Sequence, residues 1–218
     1  MLFRSEKKEI KIKKERAERE KREAKLRSLK MQIKPHFLFN TLHFIGTMAV
    51  KKPKKVSRAT KWLADILRYT TSSFSVKGTK VKDEIKFLIK YLDIQKLRLG
   101  EKFEYEVKVD NDIEDELIPV MMLQPIVENS VKYGIQKDTE RGIIRIEARK
   151  ENHELVFLVE DSGGELNNVD INGNGIGLGV TRERLKERYR EKCCVRVEKS
   201  DLGGVGIKIK VPYSKSMA

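Results

Sequence analysis

The residues best suited to chemistry fall in four stretches. In the first, Lys34-Pro35-His36-Phe37-Leu38-Phe39-Asn40, a histidine follows a proline, and Asn40 stands four residues later on the same helical face. Neutral imidazole is a competent nucleophile toward phosphorus. His43 shares that face and is the rival nucleophile. The second stretch, Leu123 to Gly134, reads LQPIVENSVKYG. Asn129 lies there inside an apolar helical pattern, where an amide needs a partner. Its oxygen could ligate Mg2+, which takes hard oxygen ligands together with phosphates. Glu128 is adjacent, and Lys132, one turn on, either meets a phosphate or is a solvated lysine. The third stretch, Val159 to Gly164, ends an apolar strand in Asp161. That carboxylate could accept an exocyclic amine such as adenine's, or could simply shape a turn. In the fourth, four of the seven residues from Gly173 to Gly179 are glycine, and a helical pattern follows through Arg182, Glu183, Arg184 and Leu185. Such a loop can bring backbone N–H groups close to an anion, helped by the dipole of the next helix, or can be plainly flexible. It matches neither a Walker loop nor a Rossmann fingerprint.

The elements around these stretches follow from periodicity. A helix is expected over 31–50, continuous with the segment before it. A second is expected over 55–71, with Val56, Ala59, Trp62, Leu63, Ile66, Leu67 and Thr70 on one face. The basic turn at Pro53 joins the two into an antiparallel hairpin. A hairpin alone buries little surface, so a four-helix bundle in a dimer is expected. Residues 71–78 read as a linker. A third helix over 80–99 carries Ile85, Leu88, Ile89 and Leu92. Phe103, Tyr105, Val107 and Val109 then alternate with charged residues as a half-buried strand. Residues 120–134 and 181–191 read as helices. Strands over 143–149 and 155–161, and over 195–197 and 205–211, read as two hairpins. The fold class is α+β, with helices on one face of a sheet whose strands are antiparallel through short connections.

Composition bounds the rest. The chain has 218 residues, 47 Lys and Arg against 33 Asp and Glu, and a net charge of +14. No apolar run approaches the ~20 residues that span a bilayer, and no signal peptide opens the sequence. Cys193 and Cys194 are the only cysteines, adjacent and ill placed to bridge each other, which fits a reducing compartment. Three histidines and two cysteines give no zinc spacing. Residues 1–30 hold 13 Lys and Arg and 6 Glu, with Phe3, Ile10, Ala17, Ala24, Met31, Leu38 and Ile45 recurring every seven residues. This is one seam of a heptad with a poor second seam, a long helix that pairs weakly by itself. Its charge reads first as a solvated face, ahead of a lipid or nucleic-acid patch, because no aromatics interleave residues 4–30.

Taken in order, the four stretches resemble the sensor histidine kinases of the LytS/YehU type, which carry a PHFLFN histidine box, a Q-P-x-V-E-N asparagine box and the glycine boxes of the GHKL ATPases. Leu67-Arg68-Tyr69 and the run from Tyr91 to Arg98 resemble segments of the same family, so the likeness covers roughly 28–213. It implies a basic linker helix over 1–30, a dimerising phosphotransfer hairpin over 31–77 and a Bergerat-type ATP-binding sandwich over 78–215. It implies His36 as phosphoacceptor with Asn40 and Glu128 in the catalytic set, and Asn129 as the Mg2+ ligand. Asp161 becomes the adenine contact, with Lys132, Tyr133, Gly163, Gly175, Gly177 and Leu178 around ATP. The implied activity is autophosphorylation of His36 from Mg·ATP, then transfer to an aspartate of a response-regulator receiver. The implied setting is a homodimer, the cytoplasmic portion of a membrane-anchored kinase with an upstream sensor, and no nucleic-acid partner. The chain also departs from the pattern: Glu165 replaces a glycine of the first box, Val180 an asparagine of the second, and Tyr133 stands where histidine is usual. Glu165 and Val180 motivate the alternative, a degenerate nucleotide-binding scaffold without phosphotransfer.

Overall fold

The computed structural model describes residues 35–72, 78–135, 141–163 and 176–213. They fall into two compact units, one ending at His43 and the other starting at Phe44. The described part of the first unit is the N-terminal portion of helix α1 (Pro35–Met48). The second holds the rest. Helix α2 (Pro53–Ser72) buries Ala59, Leu63, Ile66 and Thr70, four members of the expected face, while Leu67 is 37% exposed. The expected continuation of α1 back into the linker helix lies outside the described residues.

Helix α3 (Val81–Leu99) carries Asp83 and Glu84 in its first turn and Lys96 and Arg98 in its last, each sign favoured by the helix dipole. It stops at Gly100, whose φ of 69° suits a residue without a Cβ and whose N–H bonds back to the Lys96 carbonyl. Strands β1 (Thr79–Lys80) and β3 (Leu117–Ile118) form a small antiparallel pair that no periodicity signalled. Two residues per strand are too few to show alternation.

The main sheet runs β2–β4–β5–β7–β6, with β2 Phe103–Val109, β4 Gly142–Glu151, β5 Glu154–Asp161, β6 Cys194–Lys199 and β7 Val205–Pro212. Both expected hairpins form, and Asn152 turns the first with a φ of 54°, a conformation asparagine tolerates. The helix expected over 120–134 begins only at Gln124, and one strand direction is also corrected. Strand β2 pairs with β4 in parallel, from Phe103↔Gly142 to Val109↔Ala148. The connection between them contains helix α4 (Gln124–Gly134), and parallel strands need such a crossover. Helix α3 packs on β2 and α2, while α4 packs on β4, β5 and β7 and against helix α5 (Ile176–Tyr189). Phe103, Phe157, Ile126, Ile144 and Ile209 are fully buried between these helices and the sheet.

Candidate functional site

Asp161 ends β5 and is 4% exposed. Its Oδ1 accepts N–H groups from Gly163 and Val205, each at 3.3 Å. Two glycines make this carboxylate's surroundings possible. A Cβ on Gly134, the last residue of α4, would stand 2.6 Å from Asp161 Cγ. One on Gly204, in the β6–β7 turn, would stand 2.7 Å from the Gly163 nitrogen. Three segments distant in sequence therefore converge on one carboxylate. Glu160 fixes the turn that brings Gly204 there, since its Oε1 accepts the Ser200 hydroxyl at 3.2 Å and the Asp201 N–H at 3.0 Å.

Helix α4 runs up to this point. Asn129, Lys132 and Tyr133, at i, i+3 and i+4, share one face. Asn129 is half-buried and makes no side-chain hydrogen bond among the described residues. Lys132 donates to the Tyr133 hydroxyl at 2.9 Å and lies 4.6 Å over its ring, and both side chains are exposed. Glu128 is placed differently. It is buried, accepts from Gln124 Nε2 at 2.8 Å, and its charge helps raise the Tyr91 hydroxyl above the usual phenol range, although burial is the larger cause.

Gly163 adjoins Asp161, and Leu178 is buried in the first turn of α5. Gly175 and Glu165 lie outside the described residues. The glycine-rich stretch is not wholly a loop: α5 begins at Ile176, five residues before the expected start, and takes Gly177 and Gly179 into its first turn. Each helical glycine costs about 1 kcal/mol relative to alanine. Side-chain anchors farther along α5 hold it: Thr181 Oγ1 donates to the Met122 carbonyl at 3.0 Å and Arg184 Nη1 donates to that of Met121. The result is a helix N-terminus whose first amides lack intrahelical partners, an arrangement that favours anions.

The Met121–Leu123 turn that starts α4 has a further anchor that sequence reasoning did not single out. Glu84 of α3 is fully buried, with Oε2 2.7 Å from the Met121 nitrogen and Oε1 2.9 Å from that of Leu123. Burial pushes its carboxyl up from the usual 4.5 to about 7, against the pull of those two amides, Arg184 and Tyr69. A signal was present, because Glu84 interrupts the apolar stripe of Val81, Ile85 and Leu88 with a charge. Gly134 and Gly204 gave none, since close approach is a tertiary property.

In the first unit, His36 is exposed on α1. The Asn40 Nδ2 lies 3.1 Å from its Nε2 and 3.3 Å from its Nδ1, so the expected face-sharing pair is in contact. Such a neighbour can select the imidazole tautomer. Thr41 Oγ1 caps the Phe37 carbonyl one turn back at 2.8 Å. His43 is also exposed on α1.

No group of three or more His, Cys, Asp or Glu among the described residues could hold a metal. A single amide oxygen from Asn129 nevertheless suits Mg2+, which takes one or two protein ligands and completes its shell with phosphates and water.

A family model described as histidine kinase matches residues 24–103. Sensor histidine kinase YesM of Bacillus subtilis is 31% identical over 197 residues, covering 88% of this chain and 34% of that protein. Sensor protein LytS of Oceanobacillus iheyensis is 29% identical over 205 residues, covering 88% and 35%. Sensor protein kinase HptS of Staphylococcus aureus is 28% identical over 215 residues, covering 92% and 40%. The chain thus spans about a third of the length of these relatives. Among solved structures, the histidine kinase domain of the Erythrobacter litoralis EL346 blue-light activated histidine kinase superposes with a TM-score of 0.51 at 16% identity, over 88% of this chain and 95% of that one. That likeness establishes the fold, an α+β sandwich of the kind the family resemblance implied. No helix among the described residues is long and apolar enough to cross a membrane.

Proposed function

We propose that this chain, a relative of the sensor histidine kinases of the LytS/YehU type, moves the γ-phosphoryl group of ATP onto His36. The observation that carries the reading is the convergence of the asparagine-box helix, the end of β5 and the β6–β7 turn on the buried carboxylate of Asp161. In this reading Asp161 and Gly163 accept the adenine edge, and Tyr133 and Leu178 border the nucleotide. Lys132 neutralises phosphate charge, and the first amides of α5, with Gly175 and Gly177, cradle the phosphates. Asn129 would hold Mg2+, which when bound neutralises charge on the β- and γ-phosphates. Glu128, buried beside Asn129 and bonded to Gln124 one turn back, belongs to the catalytic set.

The chemical step is a displacement in line. An imidazole lone pair of His36 attacks the γ-phosphorus, an N–P bond forms, and the bond to the β–γ bridging oxygen breaks with its electron pair leaving on ADP. The imidazole then sheds its ring proton to solvent. Asn40 orients the ring for this attack. The protein's contribution is positioning and charge neutralisation.

The product phosphoramidate then passes to an aspartate of a response-regulator receiver. A chain of net charge +14 gains encounter rate toward an acidic receiver pocket. In this reading the segment 31–77 forms the phosphotransfer hairpin of a homodimer, 78–215 binds nucleotide, and 1–30 carries input from an upstream membrane sensor to this cytoplasmic portion. Nucleic acid has no role in it. The kinase reading is preferred to the scaffold alternative because the curated relatives bear kinase names.

The test is transfer of γ-labelled phosphate from Mg·ATP to the purified chain beside His36→Gln. Acid-labile label on the wild type, absent from the variant, is the expected result. Equal label on both proteins would overturn His36 as the acceptor, and binding of ATP without any label would overturn the kinase reading.

A further inference from the structure

The buried cluster around Glu84 lies outside the nucleotide-contacting set. It joins four elements within the second unit. From α3, the Glu84 carboxylate receives the N–H groups of Met121 and Leu123. From α2, the Tyr69 hydroxyl lies 3.3 Å from Glu84 Oε2 and 3.2 Å from Thr79 Oγ1, while its ring stacks on Phe87 at 4.8 Å. From α5, Arg184 and Thr181 donate to the carbonyls of Met121 and Met122. The Met121–Leu123 turn is thus gripped by its amides from one side and its carbonyls from the other. Met121 also has a φ of 54°, a left-handed conformation that a side chain such as methionine's adopts only when its surroundings hold it there. Leu123 supplies the first carbonyl of α4, accepting from Ile126 at 3.1 Å and Val127 at 3.0 Å. The axis and rotation of the helix bearing Asn129, Lys132 and Gly134 therefore begin at a turn that Glu84 fixes.

We propose that Glu84 is a positioning residue for nucleotide binding, setting the start of the asparagine-box helix and, through Tyr69, making that start depend on where α2 lies. The inference rests on the nucleotide reading above and deepens it. Glu84 touches neither phosphate nor adenine contact residues, and it acts through the turn. Its geometry supplies a route by which a displacement of α2 changes ATP affinity, since moving Tyr69 removes one of the donors to Glu84 Oε2. The charged and titratable groups that face Glu84 are Tyr69 from α2 and Arg184 from α5. A carboxylate accepts amide hydrogens more strongly than a carboxylic acid does, and the acid must also find an acceptor for its own proton. Acidification through about pH 7, where burial has moved this group, therefore loosens the grip on the turn.

Three proteins test this: wild type, Glu84→Gln and Tyr69→Phe. Two readouts are taken well below the melting temperature of each. The first, in the nucleotide-free protein, is amide exchange and the pH dependence of the amide shifts of Met121 and Leu123. The second is affinity for a fluorescent ATP analogue from pH 6 to 8. A carboxamide can accept one of the two N–H groups while its NH2 opposes the other. Glu84→Gln is therefore expected to exchange faster at Met121 or Leu123, to lose the shift titration near pH 7, and to bind nucleotide about tenfold more weakly. The wild-type affinity falls on acidification by a component that Glu84→Gln lacks, whereas titration of the nucleotide's own phosphates is common to both. Tyr69→Phe, which keeps the ring stack, is expected to weaken binding about threefold. It also keeps the inference testable if Glu84→Gln does not fold. Folded Glu84→Gln with wild-type affinity would overturn the inference, as would Tyr69→Phe with wild-type affinity and exchange. A wild type that binds no nucleotide would overturn the nucleotide reading itself, and the exchange data on the same samples separate that failure from failure of the Glu84 grip.

Discussion

Gly134→Ala isolates the close approach of α4 to Asp161. The added methyl would stand 2.6 Å from Asp161 Cγ and 2.8 Å from both Cβ and Oδ1. Carbon atoms are in favourable contact only at about 3.5–4.0 Å. The obstructing atoms belong to a short, buried side chain whose Oδ1 accepts two backbone N–H groups, so it cannot swing aside without giving those up. Overpacking of this kind costs about 1–3 kcal/mol. Losing one amide bond to a carboxylate adds about 1.5–3 kcal/mol, and alanine returns at most about 1 kcal/mol of helix propensity at this terminal position. A net loss of about 1.5–5 kcal/mol follows. In a chain of this size that lowers the melting temperature by about 3–20 °C. Displacing the carboxylate should also weaken nucleotide binding at least tenfold, about 1.4 kcal/mol. Thermal melting by circular dichroism and nucleotide titration measure the two effects. The control is Gly46→Ala, a helical position where an added Cβ meets nothing within 4 Å, which should gain about 0.5–1 kcal/mol. Gly134→Ala melting within a degree of the wild type, with unchanged nucleotide affinity, would refute the packing argument.

Stability should also depend on pH through Glu84. Its carboxyl is raised from 4.5 to about 7 in the folded chain, so the native state binds the proton more tightly than the unfolded one. The resulting stabilisation is fully present below about pH 4.5 and is lost as pH rises through about 7, amounting to about 3 kcal/mol at most. Denaturant melts at stepped pH should show this fall, and Glu84→Gln should lack it. Thr181→Val keeps the side-chain shape but leaves the buried Met122 carbonyl without its 3.0 Å donor. It should cost about 1–3 kcal/mol in chemical denaturation. Asp161→Asn can keep its oxygen toward the N–H groups of Gly163 and Val205, both of which bond Oδ1, but it replaces the other carboxylate oxygen, an acceptor, by an NH2 donor. Isothermal titration should show nucleotide affinity falling at least tenfold, about 1.4 kcal/mol.

What the sequence made legible was whatever repeats along one element. The apolar face of α2 and the inward residues Ile144, Ile146 and Ala148 of β4 declare themselves at periods of 3.6 and 2. The β4–β5 turn was readable because Asn152 adopts a conformation that few other residues tolerate. The direction of β2 was not readable in this way. Alternation of Phe103, Tyr105 and Val107 says that one face is buried, and nothing in it distinguishes a parallel neighbour from an antiparallel one. The information lay in the length of the connection to β4, which includes a helix and so rules out a hairpin. The start of α5 was misplaced for a related reason. Glycine's low helix propensity argued for a loop through Gly179, and the anchoring of Thr181 and Arg184 to the Met121–Met122 carbonyls outweighs a local cost of that size.

The candidate site divides along the same line. Residues proposed to act on nucleotide carry chemical signatures, a carboxylate at a strand end, an amide in an apolar helix, a histidine beside a proline, and residue type was enough to single these three out. Residues that hold those groups in place carry almost none. Gly134 and Gly204 matter because of the atom they lack, and Glu84 because of amides 37 and 39 residues away. Glu84 alone could have been suspected, since a carboxylate in an apolar stripe is costly unless something binds it. Its partners proved to be backbone N–H groups of a turn, which no pairing of side-chain types would reveal. That difference bears on how a chain of this kind can vary. The contact residues constrain composition in four short boxes, whereas the supporting set constrains volume and hydrogen bonding across α2, α3, α5 and the β6–β7 turn. A substitution at Tyr69 or Gly204 can therefore change nucleotide affinity while every box stays intact.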